Sequence, residues 1–220
     1  HHAYQYGDDY FFHPGFYYVR DVLCASDLCM GNLETTLSDQ TPYAGEHHRV
    51  GGKYHCNAPA CYLEAIRYGG FDVLVNANNH NCDSGAEGLY DTLESLDRYG
   101  FMHTGTFRSP REERFLLICV NGIRMAVLSY ATYFNRLEGN FTEKGRQEML
   151  NLYSREKAAA DIAQARNKGA EFILVYIHWG KEYTHEPNEE QRQLAEELVE
   201  SGAAADFVEQ GWGWPDSKYL

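Results

Sequence analysis

The 220-residue chain has no Cys-x-x-C pair, no apolar run beyond strand length and no dense cluster of basic residues. Each absence excludes something. Without cysteines at two-residue spacing, neither a zinc ribbon nor a thioredoxin-type redox motif is supported. Without about eighteen consecutive apolar residues, no spanning helix is expected, and no signal-peptide pattern is expected either. Lys and Arg number 19 against 32 Asp and Glu, a net charge of −13. That balance argues against nucleic acid as a partner, because phosphate contacts need clustered cations. The densest basic group, Arg108, Arg111 and Arg114, is interleaved with Glu112 and Glu113 and reads as a solvated loop. Repeats and low-complexity linkers are also missing, so residues 1–220 are expected to form one domain.

What is present begins with six cysteines, at 24, 29, 56, 61, 82 and 119. The spacing of Cys56 and Cys61 is compatible with a short disulfide loop. Cys24, Cys29 and Cys119 fall on apolar elements and read as small buried hydrophobes, a usage that suits a reducing compartment. Seventeen tyrosines are many for this length, and Tyr4, Tyr6, Tyr10, Tyr17, Tyr18, Tyr43 and Tyr54 crowd the first part. Tyrosine suits the rim of a polar-ligand groove, and a tyrosine-rich irregular surface would have the same composition.

The pattern alternates strands and helices. Helices are expected from Pro14 to about Cys24, from Pro59 to Tyr68, over 85–99, over 153–168 and over 188–201. Strands are expected leading into Gly31, over 71–76, near 101–104 and over 171–177. A hairpin is expected at Phe115 to Val120, Asn121-Gly122 and Ile123 to Tyr130, since Asn-Gly between apolar runs favours a tight turn. Together these predict an α/β sandwich with mixed sheets. The charges of the last helix, Glu189 to Glu200, read as its solvated face.

Three strand ends carry the chemistry. Phe71 to Val75 ends in Asn76-Ala77-Asn78-Asn79-His80-Asn81-Cys82-Asp83, Glu171 to Ile177 ends in His178-Trp179-Gly180-Lys181-Glu182, and the first strand leads into Gly31-Asn32-Leu33-Glu34. In open α/β sheets ligands gather at carboxyl ends of strands, although Asn, Asp and Gly also fill ordinary turns. Glu34, Asn79, His80 and His178 make a mixed oxygen and nitrogen set. That set suits Zn, Mn or Fe better than Ca or a thiolate site. His47-His48 reads as a solvated loop, and His103 as a lesser candidate for the cleft wall.

The Gly31-Asn32-Leu33-Glu34-Thr35-Thr36 segment, Asn78-Asn79-His80 with Asp83 and Gly85, and His178-Trp179-Gly180 with Glu182 resemble the CapA-type poly-γ-glutamate capsule synthesis family. Thr104-Gly105, Ser129-Tyr130 and the stretch from Tyr183 to Gly202 resemble it too, over about residues 21–203. The family is similar to calcineurin-like metallophosphoesterases. The resemblance therefore implies a four-layer α/β/β/α sandwich, divalent metal ions (as many as two, of Mn, Zn or Fe) and hydrolase chemistry. By resemblance Asn79 and His178 are metal ligands, with Glu34 in the same role because Asn32 stands where the related motif has Asp. His80 is the proton donor or phosphate contact, and Asp83 joins it as the catalytic pair. Asn32, Tyr54, Asn57, Trp179, Glu182 and His185 are the substrate-contact candidates.

Two departures accompany the resemblance. No segment before Phe16 reads as a strand ending in Gly-Asp, and 205–215 holds no histidine where the family has Gly-x-His-Pro-His. The sandwich is thus expected to be incomplete at both ends. The implied function is capsule biosynthesis or export by a metal-dependent phosphoesterase-type hydrolase. The alternatives are a non-catalytic polymer-binding or scaffolding subunit and an inactive truncated fragment. The implied partners are an anionic polymer or phosphate ester and membrane subunits of a capsule synthase. The implied setting is extracytoplasmic and membrane-associated.

Overall fold

Strands buried on both faces need cover on both sides, and the apolar runs at 73–75 and 172–178 meet that condition by packing between layers. The computed structural model describes residues 4–6, 9–43, 49–50, 53–180, 186–203 and 205–209, with backbone alone at 4–6, 9, 49–50, 53–54 and 205–209. In chain order the elements are β1 (Tyr4–Tyr6), β2 (Asp9–Phe11), α1 (Arg20–Leu23), β3 (Met30–Asn32), β4 (Arg49–Val50), β5 (Lys53–Tyr54), α2 (Tyr62–Tyr68) and β6 (Val73–Val75). They continue with α3 (Gly85–Arg98), β7 (Met102–Thr104), β8 (Leu116–Val120), β9 (Ile123–Ala131), α4 (Glu143–Met149), α5 (Arg155–Asn167), β10 (Phe172–His178), α6 (Glu189–Glu200) and β11 (Ala205–Glu209).

One sheet has the order β3-β6-β7 and is parallel throughout. The other has the order β11-β10-β9-β8, parallel except for the β8–β9 hairpin. Side-chain direction alternates along a strand, so each sheet feeds two apolar layers. Val73, Val75, Ile118, Val127, Leu174 and Tyr176 fill the space between the sheets. On the outer face of the first sheet, Leu74 packs with Leu63 and Ile66 of α2 and Leu93 and Leu96 of α3. On the outer face of the second, Leu128, Ile173 and Val175 pack with Ile162 of α5 and Leu194 and Leu198 of α6. The result is an α/β/β/α sandwich with one parallel and one mixed sheet, the four layers that the family resemblance implies. Among the described residues no helix is long and apolar enough to cross a membrane.

Local chemistry explains the boundaries. Asn121 and Gly122 both take positive φ, 51° and 85°, as the two-residue turn joining β8 to β9 requires. Asn188 caps α6 by accepting from the Gln191 backbone N–H while the Gln191 side chain accepts from the Asn188 N–H.

Several expectations are corrected. The helix from Pro14 to Cys24 is a 3-10 turn at His13–Phe16 and the single-turn α1; only Arg20 and Asp21 offer an ion pair, and no buried face holds a longer helix. The strand expected ahead of Gly31 begins only at Met30. The loop over 131–150 contains α4, capped by the Thr142 side chain. All six cysteines are free: Cys56 is drawn to Asp83 and Cys61 lies 3.9 Å from the Tyr10 carbonyl oxygen. Cys24 and Cys119 are exposed, the latter because β8 is an edge strand; Cys29 alone of that group is buried. Arg114 is not solvated but lies over the Phe107 ring at 4.3 Å, and burial lowers its pKa. At the ends, β1 and β2 pair with each other and not with either large sheet. The strand after Ala203 is present as β11, in register with β10 from Leu174↔Ala205 to His178↔Glu209. Residues 210–220, which like 205–209 hold no histidine, lie outside the described residues, as do His1-His2 and His47-His48.

Candidate metal and proton-transfer site

The carboxyl ends of β3, β6 and β10 bring their polar tails to one edge of the sandwich, and a hydrogen-bonded net fixes them there. The Asn78 amide donates to Asn32 Oδ1 and to the Leu33 carbonyl, both at 2.9 Å. Asn32 Nδ2 donates in turn to Glu34 Oε2 at 3.1 Å. Asn78 Oδ1 accepts from the His80 backbone N–H at 3.0 Å, so one buried amide sets both the β3 tail and the position of His80. Asn79 Nδ2 donates to Asn135 Oδ1 at 3.3 Å, across the loop that follows β9. Two residues earlier in that loop, the Tyr133 ring lies 5.8 Å from the His178 ring.

Gly105 makes this closure possible. Its φ is +119°, and a Cβ there would come within 2.5 Å of the Ala77 nitrogen and 2.9 Å of Ser129 Oγ. Only glycine fits where the β7 tail passes the ends of β6 and β9.

The two histidines are held in opposite charge states. His80 Nδ1 lies 2.7 Å from Asp83 Oδ2, which also accepts from the Cys56 backbone N–H at 2.5 Å. Burial opposes a charge on His80, but hydrogen bonds to Asp83 and Cys56 and their charges outweigh it, and its pKa rises to about 10. His178 is buried, and burial, with the charge of His80 second, pushes its pKa down to about 4. At neutral pH the site therefore pairs an imidazolium with a neutral imidazole.

Among the described residues, Cys56, His80 and Asp83 form a group whose donor atoms lie within 4.8 Å of one another, a spacing a metal could bridge. Within it Asp83 Oδ2 accepts from the Cys56 backbone N–H and bonds His80 Nδ1, while Asp83 Oδ1 is buried without a partner. Asn79 and His178 offer further donors at the same edge. Asn79 Oδ1 is buried without a hydrogen-bond partner, and His178 is kept neutral, as a ligand must be. With the half-buried Glu34 carboxylate on the same net, these donors suit Mn, Zn or Fe.

The remaining candidates separate. Asn57 is buried and its side chain is consumed in holding loops: Oδ1 accepts from Thr36 Oγ1 and the Ser38 N–H, and Nδ2 donates to the Ser38 and Thr41 carbonyls. Trp179 is 2% exposed and packs in the helix-side layer with Ile177 and Leu194, with its indole Nε1 buried and unpartnered. His103 pairs with Asp97 of α3 at 3.1 Å and does not line the cleft. Glu182, His185 and the Tyr54 side chain lie outside the described residues. Cys56, Tyr133 and Asn135 are contributors that the sequence reading did not single out for the site. Cys56 lies 27 residues from Asp83, and no short-range signal joins them.

Comparison with known proteins gives the family. The family described as bacterial capsule synthesis protein PGA_cap matches residues 1–208, wider than the 21–203 suggested by the motifs. The capsule biosynthesis protein CapA of Bacillus anthracis is 30% identical over 205 residues, covering 90% of this chain and 47% of that protein. The PGA biosynthesis protein CapA of Bacillus subtilis is 30% identical over 193 residues, covering 86% and 48%. The chain thus spans about half the length of these relatives. The sulfate thiohydrolase SoxB of Thermus thermophilus, in complex with glycerol, gives a TM-score of 0.39 at 12% identity over 72% of this chain and 32% of that one, below the level at which a shared fold follows. On the family match and the two relatives, the chain belongs to the bacterial capsule synthesis protein family PGA_cap.

Proposed function

We propose that this chain acts in making or exporting an anionic capsule polymer, and that its strand-end cluster is a metal-dependent site for hydrolysis or transfer at a phosphate ester or acyl bond. The observation that carries this reading is the strand-end geometry: His80 Nδ1 lies 2.7 Å from Asp83 Oδ2, and Asn79 Oδ1 is buried without a partner at the same edge. Asn79, His178 and Glu34 would hold the cation. When bound, it supplies Lewis acidity toward a phosphoryl or acyl oxygen. His80 holds a proton at neutral pH and delivers it from Nε2 to the leaving oxygen, while Asp83 fixes the ring through Nδ1. Asn78 keeps His80 in place through its backbone N–H. The same proposal sets the parent protein outside the cytoplasmic membrane, beside membrane subunits of the polymer synthase.

A second reading, polymer binding without turnover, has its own observation. Of the two carboxylates at the site, Asp83 is paired with His80 and only Glu34 has no cationic partner shown, which is little negative charge for a pair of cations. Hydrolysis of p-nitrophenyl phosphate by the full chain with Mn, Zn or Fe decides between them. His80→Ala should lower kcat about 10²- to 10⁴-fold without changing metal content. Absence of turnover with every cation, together with retained polymer binding, would favour the second reading.

A further inference from the structure

The six thiols of this chain are free, but their surroundings differ. Cys24 and Cys119 are exposed. Cys29 and Cys82 are buried, and burial first, then neighbouring negative charge, raises the pKa of each and keeps it a thiol. Cys61 Sγ donates to the Tyr10 carbonyl oxygen at 3.9 Å. Cys56 is half-buried and lies against an imidazole and a carboxylate: its sulfur, a ring nitrogen of His80 and an oxygen of Asp83 all lie within 4.8 Å of one another. The backbone on both sides of that sulfur is fixed. The Cys56 N–H donates to Asp83 Oδ2 at 2.5 Å, and its carbonyl accepts from the Thr36 N–H and from Thr36 Oγ1, both at 3.1 Å. The thiol therefore cannot swing away from His80 without breaking the contact between the β3 tail and the loop before Pro59.

We infer that Cys56 is a reactive thiol that exchanges with small disulfides carrying an ammonium or amide N–H, and so forms a mixed disulfide beside His80. Two independent observations carry it. The first is the cluster itself, because a thiol held against an imidazole reacts as thiolate more readily than one in water or in an apolar layer. The second is Asp83, whose side chain is fully buried and whose Oδ2 holds His80 Nδ1 at 2.7 Å, while Oδ1 is buried without a partner. A buried acceptor of that kind favours a ligand that brings a donor. In the exchange the Cys56 sulfur forms a new S–S bond as the S–S bond of the small disulfide breaks. The released thiolate takes up one proton, matching the one that Cys56 gives up, and one disulfide replaces another with no outside oxidant. The adduct stands beside the His80 side chain, which is 16% exposed, and closes its remaining opening.

The test sets chemistry against exposure. The reduced full chain is treated with limiting cystamine at neutral pH, quenched with acid at intervals and mapped by mass spectrometry. The expected result is that Cys56, though half-buried, is modified at least about tenfold faster than the exposed Cys24 and Cys119, and that dithiothreitol reverses it. Cys29 and Cys82 stay unmodified while the protein is folded. Dithiodipropionate, an anionic disulfide, should lose the preference for Cys56, since its carboxylates meet Asp83. His80→Gln should bring Cys56 down to the rate of the exposed cysteines and leave Cys24 and Cys119 unchanged. If that variant unfolds, which reaction of Cys29 and Cys82 would report, the wild-type order of labelling decides. Labelling in order of exposure, an equal preference with the anionic disulfide, or an unchanged Cys56 rate in folded His80→Gln would overturn the inference. The rates are read on the thiols, without metal or turnover, so the outcome does not depend on the hydrolytic or the polymer-binding reading.

Discussion

His80 and His178 sit close enough for one to depress the other, and their opposite shifts set a pH profile for the cation-free protein. His80 is raised from 6.5 to about 10, so its stabilising contribution is complete below 6.5 and is lost as pH rises through 10. His178 is lowered from 6.5 to about 4, so its contribution is complete above 6.5 and is lost as pH falls through 4. The two together predict greatest stability near pH 6.5, with decline on both sides, measured by denaturant melts across the range. Asp83→Asn should flatten the alkaline side, lower the His80 pKa in an NMR titration and cost roughly 1–3 kcal/mol, because the buried partner of His80 loses its charge. An unmoved His80 resonance in that variant would show that Asp83 is not what holds the proton. At this scale the sequence was only partly legible. Asn79, His80, Asp83 and His178 stood out as polar residues ending apolar runs, and the structure ties them to one edge. Asn57 stood out by family resemblance and Trp179 by following His178; the first holds loops through partners 16 to 21 residues away and the second packs in the helix layer.

Elements were more legible than sites, and where they were not, the reason is tertiary. The long helices α3, α5 and α6 and the strands β6 and β10 follow hydrophobic periodicity closely. The β8–β9 hairpin follows from Asn121-Gly122. The segment before β3 carries a helical pattern but has no apolar layer to lie on, and only a 3-10 turn and one α turn form. Gly105 links element to site. Gly105→Ala must either leave φ +119° or push the Ala77 nitrogen away, and should cost about 1–3 kcal/mol while loosening the strand-end net. A thermal melt paired with metal affinity checks this; an alanine variant equal to wild type in both would remove Gly105 from the account. Ile162→Ala, in the layer between α5 and the mixed sheet, should cost about 2–5 kcal/mol with affinity per folded molecule unchanged, since that layer lies behind the site.

The whole molecule is a sandwich whose four layers converge their strand ends on one edge, within a chain that covers about half of its CapA relatives. The α/β sandwich was legible from alternation and buried runs, and its four layers from the family resemblance, whereas the relation of the two sheets was not, since no local signal pairs β9 with β10. The central claim is that Asn79 and His178 hold a divalent cation while Cys56, His80 and Asp83 manage a proton. Calorimetric titration of the metal-free full chain with Mn²⁺ or Zn²⁺ tests it most directly. The account predicts saturable binding that His178→Ala and Asn79→Ala each weaken at least about tenfold and that Cys56→Ser leaves nearly intact. A cation affinity that survives loss of His178 and disappears with Cys56 would contradict it and move the metal to the Cys56–His80–Asp83 group.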